Sequence, residues 1–326
     1  MQQQRNYVLE ALARARTRQS WNERLSRWER PASDSEEAMI ERAARAVRGV
    51  MSGNSWFVGE GVQIAPQGSY YNNTNVRRES DIDLRAVHPL IHVEYAENVA
   101  QESANVVLQY SPSGKTFGEV IAQMRHEMGR EFAKRFGALN VEVDGNKAIC
   151  VRGVPESRAP LDVVPCFQLH YVEWNSVVGQ YFVTRGIAIY SRDGRVTFNF
   201  PDQHHDNGIQ KRAGTQLRFK KNVRMLKHLR DELVAGGIIN DEEVPSYLVE
   251  CLVYRVEDHY FLVEADDRYD RLRRVVERML EQLNNPTWVR AAMEINEVKL
   301  LFGSHQGWTA DAAKQFSLAA WNRLLV

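Results

Sequence analysis

Long apolar runs are absent: nowhere does this 326-residue chain approach the about eighteen consecutive apolar residues of a membrane-spanning helix. The opening residues, MQQQRNYVLEALARAR, are amphipathic and arginine-containing but lack the continuous apolar core of a secretory signal. The expected location is therefore the cytoplasm, with a transit peptide as the alternative. An excess of either charge is also missing, since Lys plus Arg and Asp plus Glu both number 42. Without bulk positive charge there is nothing to hold a long polyanion by counterion release, so no nucleic-acid template is implied. Cysteine is scarce: Cys150, Cys166 and Cys251 stand far apart among apolar or strand-like neighbours, with no CxxC spacing. That argues for buried free thiols in a reducing compartment and against a zinc site or a disulfide. Two common catalytic signatures fail as well. His126-Glu127 does not extend to HExxH, because the residue four after His126 is Arg130, and no GxxxxGK[ST] occurs.

What is present is ordinary globular material, 44% hydrophobic and 26% charged, long enough for one large or two closely packed domains. Residues 1 to 30 read as helix up to Pro31, and Ser33 or Asp34 caps a second helix running to about Ser52. From Val62 the texture turns to short β-type runs at 62–64, 81–87, 140–144, 148–152 and 161–167, with a helical pattern over 117–136. Further strands are expected at 180–189 and 196–200. After Pro201 the strands stop, and helices are signalled at 215–235, 246–254, 266–284, 285–298 and 309–325. The polar stretch 201–214 reads as a linker or site-lining loop, and its His204-His205-Asp206 as solvated. The expected division is a catalytic α+β core over 1–200, including the N-terminal helices, and a helical nucleotide-binding lobe over 201–326.

The informative segment is Gln67-Gly68-Ser69-Tyr70-Tyr71, followed after a polar turn by Ser80-Asp81-Ile82-Asp83-Leu84. On a strand, Asp81 and Asp83 point to one side, about 6 to 7 Å apart, and Ile82 and Leu84 to the other. Two such carboxylates repel unless a cation lies between them, and an all-oxygen site suits magnesium. Gly68 permits close backbone approach, and Ser69 offers a hydroxyl and an amide where a phosphate can lie. A third carboxylate, Asp162, is embedded in the apolar strand Leu161-Asp162-Val163-Val164 and needs a partner. Each feature alone has a bland explanation, a solvated strand face or a common turn. Together they point to metal-assisted phosphoryl transfer, in which two metals clamp attacking and leaving oxygens.

The helical half adds Lys221 in Arg218-Phe219-Lys220-Lys221-Asn222-Val223-Arg224-Met225-Leu226-Lys227, and Ser246 in Val244-Pro245-Ser246-Tyr247-Leu248-Val249-Glu250. On an amphipathic reading Val223, Leu226, Leu229 and Leu233 pack inward and most of the cations face water. Ser246 stands at a helix start, where free amides and the helix dipole favour a phosphate, unless it is simply the N-cap.

Gly68-Ser69-Tyr70-Tyr71, Asp81-Ile82-Asp83 and Asp162 resemble the polymerase-beta-like nucleotidyltransferase signature as it occurs in bacterial CD-NTases, the cGAS/DncV-like nucleotidyltransferases. The run NNTNVRRESDIDL is similar to that family's Asn/Thr-containing turn before a Ser-Asp-x-Asp strand. Lys221 and Ser246 look like its triphosphate-binding lysine and serine, and Tyr247 falls where relatives stack a base. The resemblance covers about residues 35 to 300. It implies a bilobed fold: a mixed sheet carrying the carboxylates, a helical C-terminal lobe, and a long N-terminal helix bracing both. It also implies two Mg2+ ions, replaceable by Mn2+, held by Asp81, Asp83 and Asp162, with Asp162 helping to activate the attacking hydroxyl. The implied reaction makes a cyclic di- or trinucleotide messenger from nucleoside triphosphates, with ATP as the default substrate. The implied setting is CBASS antiphage defence, where the product activates a separate effector and the enzyme works as a monomer without DNA. A linear transferase acting on a tRNA end or a small molecule would share the three carboxylates; the Lys221 and Ser246 sites argue against it.

Overall fold

The computed structural model describes the backbone of residues 2–76 and 82–325, and their side chains except at residues 2–14 and 34. Its helices are α1 (Gln2–Trp28), α2 (Asp34–Gly53), α3 (Ser55–Glu60), α4 (Gly68–Tyr71), α5 (Gln101–Leu108) and α6 (Phe117–Phe136). After the sheet come α7 (Pro201–Gly214), α8 (Arg218–Ala235), α9 (Ser246–Arg255), α10 (Arg268–Leu283), α11 (Pro286–Ala291) and α12 (Ala310–Leu325). The strands are β1 (Gln63–Pro66), β2 (Ile82–Tyr95), β3 (Val141–Glu142), β4 (Ile149–Val151), β5 (Leu161–Asn175), β6 (Gln180–Tyr190) and β7 (Val196–Asn199). They fall into a sheet unit, Ser33–Tyr71 with Arg77–Asp202, and a helical unit, Met1–Ala32 with Asn72–Val76 and Gln203–Val326. None of the described helices is long and apolar enough to cross a membrane.

In the sheet unit, β2 lies between β1, antiparallel, and β5, parallel. The first part of β5 pairs antiparallel with β4, which carries β3, and its later part with β6, which carries β7. The sheet is therefore mixed, as expected of the α+β class. Pro165 tests the register, because a proline has no N–H for a ladder. It sits opposite Ala86 of β2, between the β4-paired residues 161–163 and the β6-paired residues 167–175, where no antiparallel neighbour reaches it. Pro89 acts similarly in β2: the register with β5 shifts between His88 and Ile91, around that residue.

Helices cover this sheet with stripes set by their sequences. In α6, Val120, Met124, Met128, Phe132 and Phe136 recur every four residues and are buried, against β3, β4 and β5. Thr116 caps it by accepting from Glu119 N, and Gly137, at φ +88, ends it. In α2, Ile40, Ala43, Ala44, Val47 and Met51 are buried, and the helix packs on α6 and β2. A capping box between Ser33 and Glu36 fixes its start.

The helical unit is organised on α8, which is buried on nearly every side and packs on α1, α9, α10 and α12. Phe219, Val223, Leu226, Leu229 and Leu233 join Leu248 and Leu252 of α9, Leu272 and Val276 of α10, and Phe316 of α12 in one core. Trp21 and Leu25 of α1 belong to the same core, and Asn22 Oδ1 accepts from the first amides of α10 at 2.9 and 3.1 Å. The N-terminal helix thus groups with the C-terminal helices, whereas the sequence reading put it with residues 1–200.

Three further expectations are corrected. The stretch 201–214 is a helix, α7, because Pro201 opens it and its buried face is made of His204 and Gly208, residues without an apolar signature. His204 is buried, not solvated. Helix over 285–298 stops at Ala291, where the chain turns back: Glu294 N donates to Lys299 O and Leu301 N to Ala292 O, around Asn296, whose side chain accepts from Val298 N and Lys299 N. Most of the cations of α8 do not face water either: Lys220, Arg224, Lys227 and Arg230 are buried, and only Arg218 and Lys221 are partly exposed. The thiols are free, as expected, with Cys150 partly exposed and Cys166 and Cys251 buried. Burial pushes the Cys166 thiol up to about 12, which keeps it protonated and unreactive.

Phe167 of β5 is fully buried, with ring centroids 4.9 Å from Phe117 and 5.2 Å from Tyr190. Phe167→Ala should cost about 3–5 kcal/mol in urea unfolding. A loss below about 1 kcal/mol would mean that the aromatic cluster relaxes around the gap and does not hold β5 in place.

Candidate active site

The first feature is a consequence of strand register. In β2, Ile82 and Leu84 turn into the core at 1% and 0% exposure, so Asp83 between them faces the other way and is only half-buried. Asp162 in β5 sits in the same way between buried Leu161 and Val163. Because the strands are parallel and Asp83 is the register partner of Asp162, the two carboxylates stand on one face, on backbones about 4.8 Å apart. On the other side of Asp162, Cys150 of β4 is its antiparallel partner.

Gly68 closes on this pair from below. Gln67 N donates to Asp83 O at 3.0 Å, and Gly68 has φ +75. A Cβ on Gly68 would come 2.0 Å from Asp83 Oδ2, closer than any real contact. Glycine is therefore needed twice, for its backbone conformation and for the space that the carboxylate occupies. Ser69 follows within the single turn α4. The structure thus brings Gly68, Asp83 and Asp162 together. Asp81 lies outside the described residues, and among the described residues no group of three His, Cys, Asp or Glu side chains gathers. Two adjacent carboxylates with hard oxygen donors suit a divalent cation of the magnesium type, which relieves their mutual repulsion.

The second feature belongs to the helical unit. Lys221 of α8 is half-exposed, with Nζ 3.8 Å from Oε1 of Glu29, the residue that follows α1. Glu29 also receives Arg268 at 2.7 Å and Arg271 at 3.2 Å, so cations outnumber the carboxylate that holds them. Ser246 is the exposed first residue of α9. Pro245, not Ser246, occupies the N-cap position and provides no side-chain cap, so simple capping does not account for the serine. Tyr247 is half-buried: its hydroxyl donates to Glu294 Oε2 at 2.9 Å, and its ring lies 5.5 Å from His204 and 6.1 Å from Trp308. Burial, reinforced by the Glu294 charge, lifts its pKa well above the ordinary phenol value. Lys221 and Ser246 stand on neighbouring helices that pack together.

Sequence reasoning missed a buried polar cluster in the same unit, formed by Glu250, Lys227, Thr74 and His204. Glu250 is 2% exposed within the apolar run Leu248-Val249-Glu250-Cys251-Leu252. A lone acid in an apolar strand is the signal that singled out Asp162, and the same kind of signal, in a helix, marks Glu250.

Residues 206–325 match the cGAS/DncV-like nucleotidyltransferase C-terminal helical domain. The chain is 32% identical over 305 residues to the cyclic dipyrimidine nucleotide synthase CdnE of Legionella pneumophila, spanning 93% of this chain and 97% of that protein. It is 29% identical over 307 residues to a cyclic dipurine nucleotide synthase of Elizabethkingia meningoseptica, again over 93% and 97%. The solved structure of Elizabethkingia meningoseptica CdnE cyclic dinucleotide synthase with GTP and Apcpp superposes with a TM-score of 0.73 at 28% identity, covering 93% of this chain and 98% of that one.

Gly68→Ala forces a side chain into the left-handed region and into Asp83, so it should cost about 1–3 kcal/mol from backbone strain alone. It should also weaken Mg2+ binding in calorimetric titration, because the Asp83 carboxylate has to move. Unchanged unfolding free energy together with an unchanged Mg2+ isotherm would refute the close approach of Gly68 to Asp83.

Proposed function

We propose, because the chain belongs to the cGAS/DncV-like nucleotidyltransferase family, that Asp83 and Asp162, together with Asp81, hold two Mg2+ ions for nucleotidyl transfer. The chain is a nucleotidyltransferase, a cyclic nucleotide synthase that works on nucleoside triphosphates. The observation that carries the metal reading is the pairing of Asp83 with Asp162 on one sheet face, with Gly68 packed under Asp83. The donors fit Mg2+ or Mn2+, being carboxylate oxygens. When bound, such ions supply charge to the reacting phosphate and lower the pKa of the attacking hydroxyl.

The rest is done by side chains of this chain. Ser69, beside Gly68, binds phosphate, and in the helical unit Lys221 and Ser246 bind the triphosphate, while Tyr247 offers its ring to a base. Asp162 accepts the proton of the attacking ribose hydroxyl as that oxygen bonds to the alpha phosphorus and pyrophosphate leaves with the electron pair. The linear product then presents its own triphosphate for a second attack that closes the ring. Catalysis is by positioning and charge, with no covalent enzyme intermediate.

The relatives differ in base: one is named for pyrimidines and one for purines. The Legionella pneumophila protein is the more identical of the two, so UTP and CTP stand beside ATP as substrates to test. The balanced charge, with 42 residues of each sign, supports activity without a DNA template. We place the enzyme in the cytoplasm, as a monomer whose cyclic product acts on a separate effector in antiphage defence.

Purified protein with all four ribonucleoside triphosphates and Mg2+ or Mn2+ is expected to give a phosphatase-resistant product, and omitting one triphosphate at a time, with mass measurement, identifies its bases. A product that stays linear, or none, would sink the reading. Asp83→Asn removes charge and keeps shape, so turnover should fall by about three orders of magnitude or more while the metal-free melting temperature holds or rises. Mg2+ with nucleotide should stabilise the wild type by mass action and the variant much less. For Lys221→Ala, nucleotide affinity should drop about 10- to 100-fold, the worth of one charge-assisted contact. Unchanged binding in calorimetry would return Lys221 to its contact with Glu29 alone.

A further inference from the structure

Between Tyr71 and Asn72 the chain passes from the sheet unit into the helical unit, and it passes back after Val76. This excursion is short, and three of its five side chains are buried: Asn72, Thr74 and Asn75. Thr74 Oγ1 donates to Glu250 Oε2 at 2.8 Å. Lys227 Nζ donates to the same oxygen at 2.8 Å and to Thr74 Oγ1 at 3.3 Å. The other carboxylate oxygen, Oε1, lies 2.9 Å from His204 Nε2. His204 Nδ1 faces Asn72 Nδ2 at 3.5 Å, and Asn72 Oδ1 faces His205 Nδ1 at 3.2 Å. With the amide so placed, Nδ1 of His204 accepts from Asn72, and its ring proton sits on Nε2, where it is donated to Glu250. Arg224 Nη1 donates to Asn73 O at 2.5 Å, which holds that residue at φ +55.

The cluster meets the excursion at Thr74 and Asn72, and Glu250 touches three of its members, Thr74, Lys227 and His204. We propose that Glu250 is a positioning residue for the transfer reaction: its buried carboxylate holds Lys227, Thr74 and His204, and so fixes the segment that joins the Gly68-Ser69 turn to the strand of Asp83. The segment begins three residues after Ser69 and ends five before Asp81 in the chain. The segment is therefore tied covalently, through short lengths of chain, to both the turn and the strand. Burial alone would raise the pKa of Glu250, but the charge of Lys227 and the hydrogen bonds from Lys227 and His204 outweigh it, and the carboxyl stays ionised far below the ordinary carboxylate range. The inference rests on the nucleotidyl-transfer reading of the preceding section.

The test uses the full chain with the four triphosphates and Mg2+, measuring kcat and KM for Thr74→Val, Thr74→Ser, Glu250→Gln and the double variant Thr74→Val/Glu250→Gln. Thr74→Val should lower kcat about tenfold, as one lost buried hydrogen bond would, with KM moving less than about threefold. Thr74→Ser, which keeps the hydroxyl, should retain most of the turnover. Glu250→Gln should lose at least as much as Thr74→Val, and the double variant no more than Glu250→Gln alone, because the two act through one bond. Amide hydrogen exchange over residues 68–76 should speed up in Thr74→Val and not in Thr74→Ser. Removing the Glu250 charge strands Lys227, so where Glu250→Gln does not fold, Thr74→Val decides alone. A folded Thr74→Val with wild-type kcat and wild-type exchange would overturn the proposal. A wild type that makes no cyclic product in the same assay would instead overturn the nucleotidyl-transfer reading, and this inference with it.

Discussion

Parallel pairing of two strands forces residues of equal register onto one face at the spacing of neighbouring backbones. In this protein that rule brings two carboxylates, Asp83 and Asp162, side by side. Each acid stands between buried apolar neighbours, and the two carboxylates repel. Much of the sheet unit serves to keep them there. Ile82, Leu84, Leu161 and Val163 anchor the opposite face, and Pro165 stands where β5 exchanges one antiparallel partner for another. Gly68 gives up a side chain so that Asp83 has room. A cation between the carboxylates would turn this cost into a binding site, as the proposed metal-assisted transfer requires.

The helical unit resolves a different conflict. A helix with Lys220, Arg224, Lys227 and Arg230 all buried should be unstable, because each cation gives up its hydration. Most of them are met by specific oxygens. Arg224 reaches Glu29 O and Asn73 O, Arg230 reaches Val244 O, and Lys227 reaches Glu250. Burial nevertheless lowers the pKa of Lys220, and that of Arg224 to about 10, despite the opposing charges of Glu250 and Glu29. Glu29 in turn serves Arg268, Arg271 and Lys221, so one carboxylate just past α1 ties the end of the N-terminal helix to α8 and α10.

The elements with an apolar period were legible from sequence. Helix α6 spans 117–136 as the spacing of its buried residues demands, and β5 begins at Leu161. Both β2 and β5 run past their apolar halves, to Tyr95 and Asn175, because ladder pairing between them and with β6 sustains the polar halves. Helix α7 was hidden because its buried face is histidine and glycine. At the site, Gly68, Asp83 and Asp162 were legible because glycine-serine turns and isolated strand acids are local signals. The cluster of Thr74, Lys227 and Glu250 was not, since Thr74 and Glu250 are 176 residues apart and only the folded chain joins them.

A buried ion pair such as Lys227 with Glu250 is weak evidence for stability, since a well-packed apolar pair of equal volume is commonly as stable or more so. Its presence therefore asks for another reason. The partners supply one: besides each other, Lys227 and Glu250 bind the hydroxyl of Thr74, and Glu250 binds His204, which holds Asn72. An apolar replacement would fill the space but offer nothing to Thr74 or His204, leaving buried polar groups unpaired at a cost of about 1–3 kcal/mol each. The charges thus favour one path for residues 72–76, where hydrophobic packing would tolerate several. Transfer chemistry that works by positioning has use for that single path, because a displacement of about 1 Å in a reacting group is enough to cost two orders of magnitude in rate.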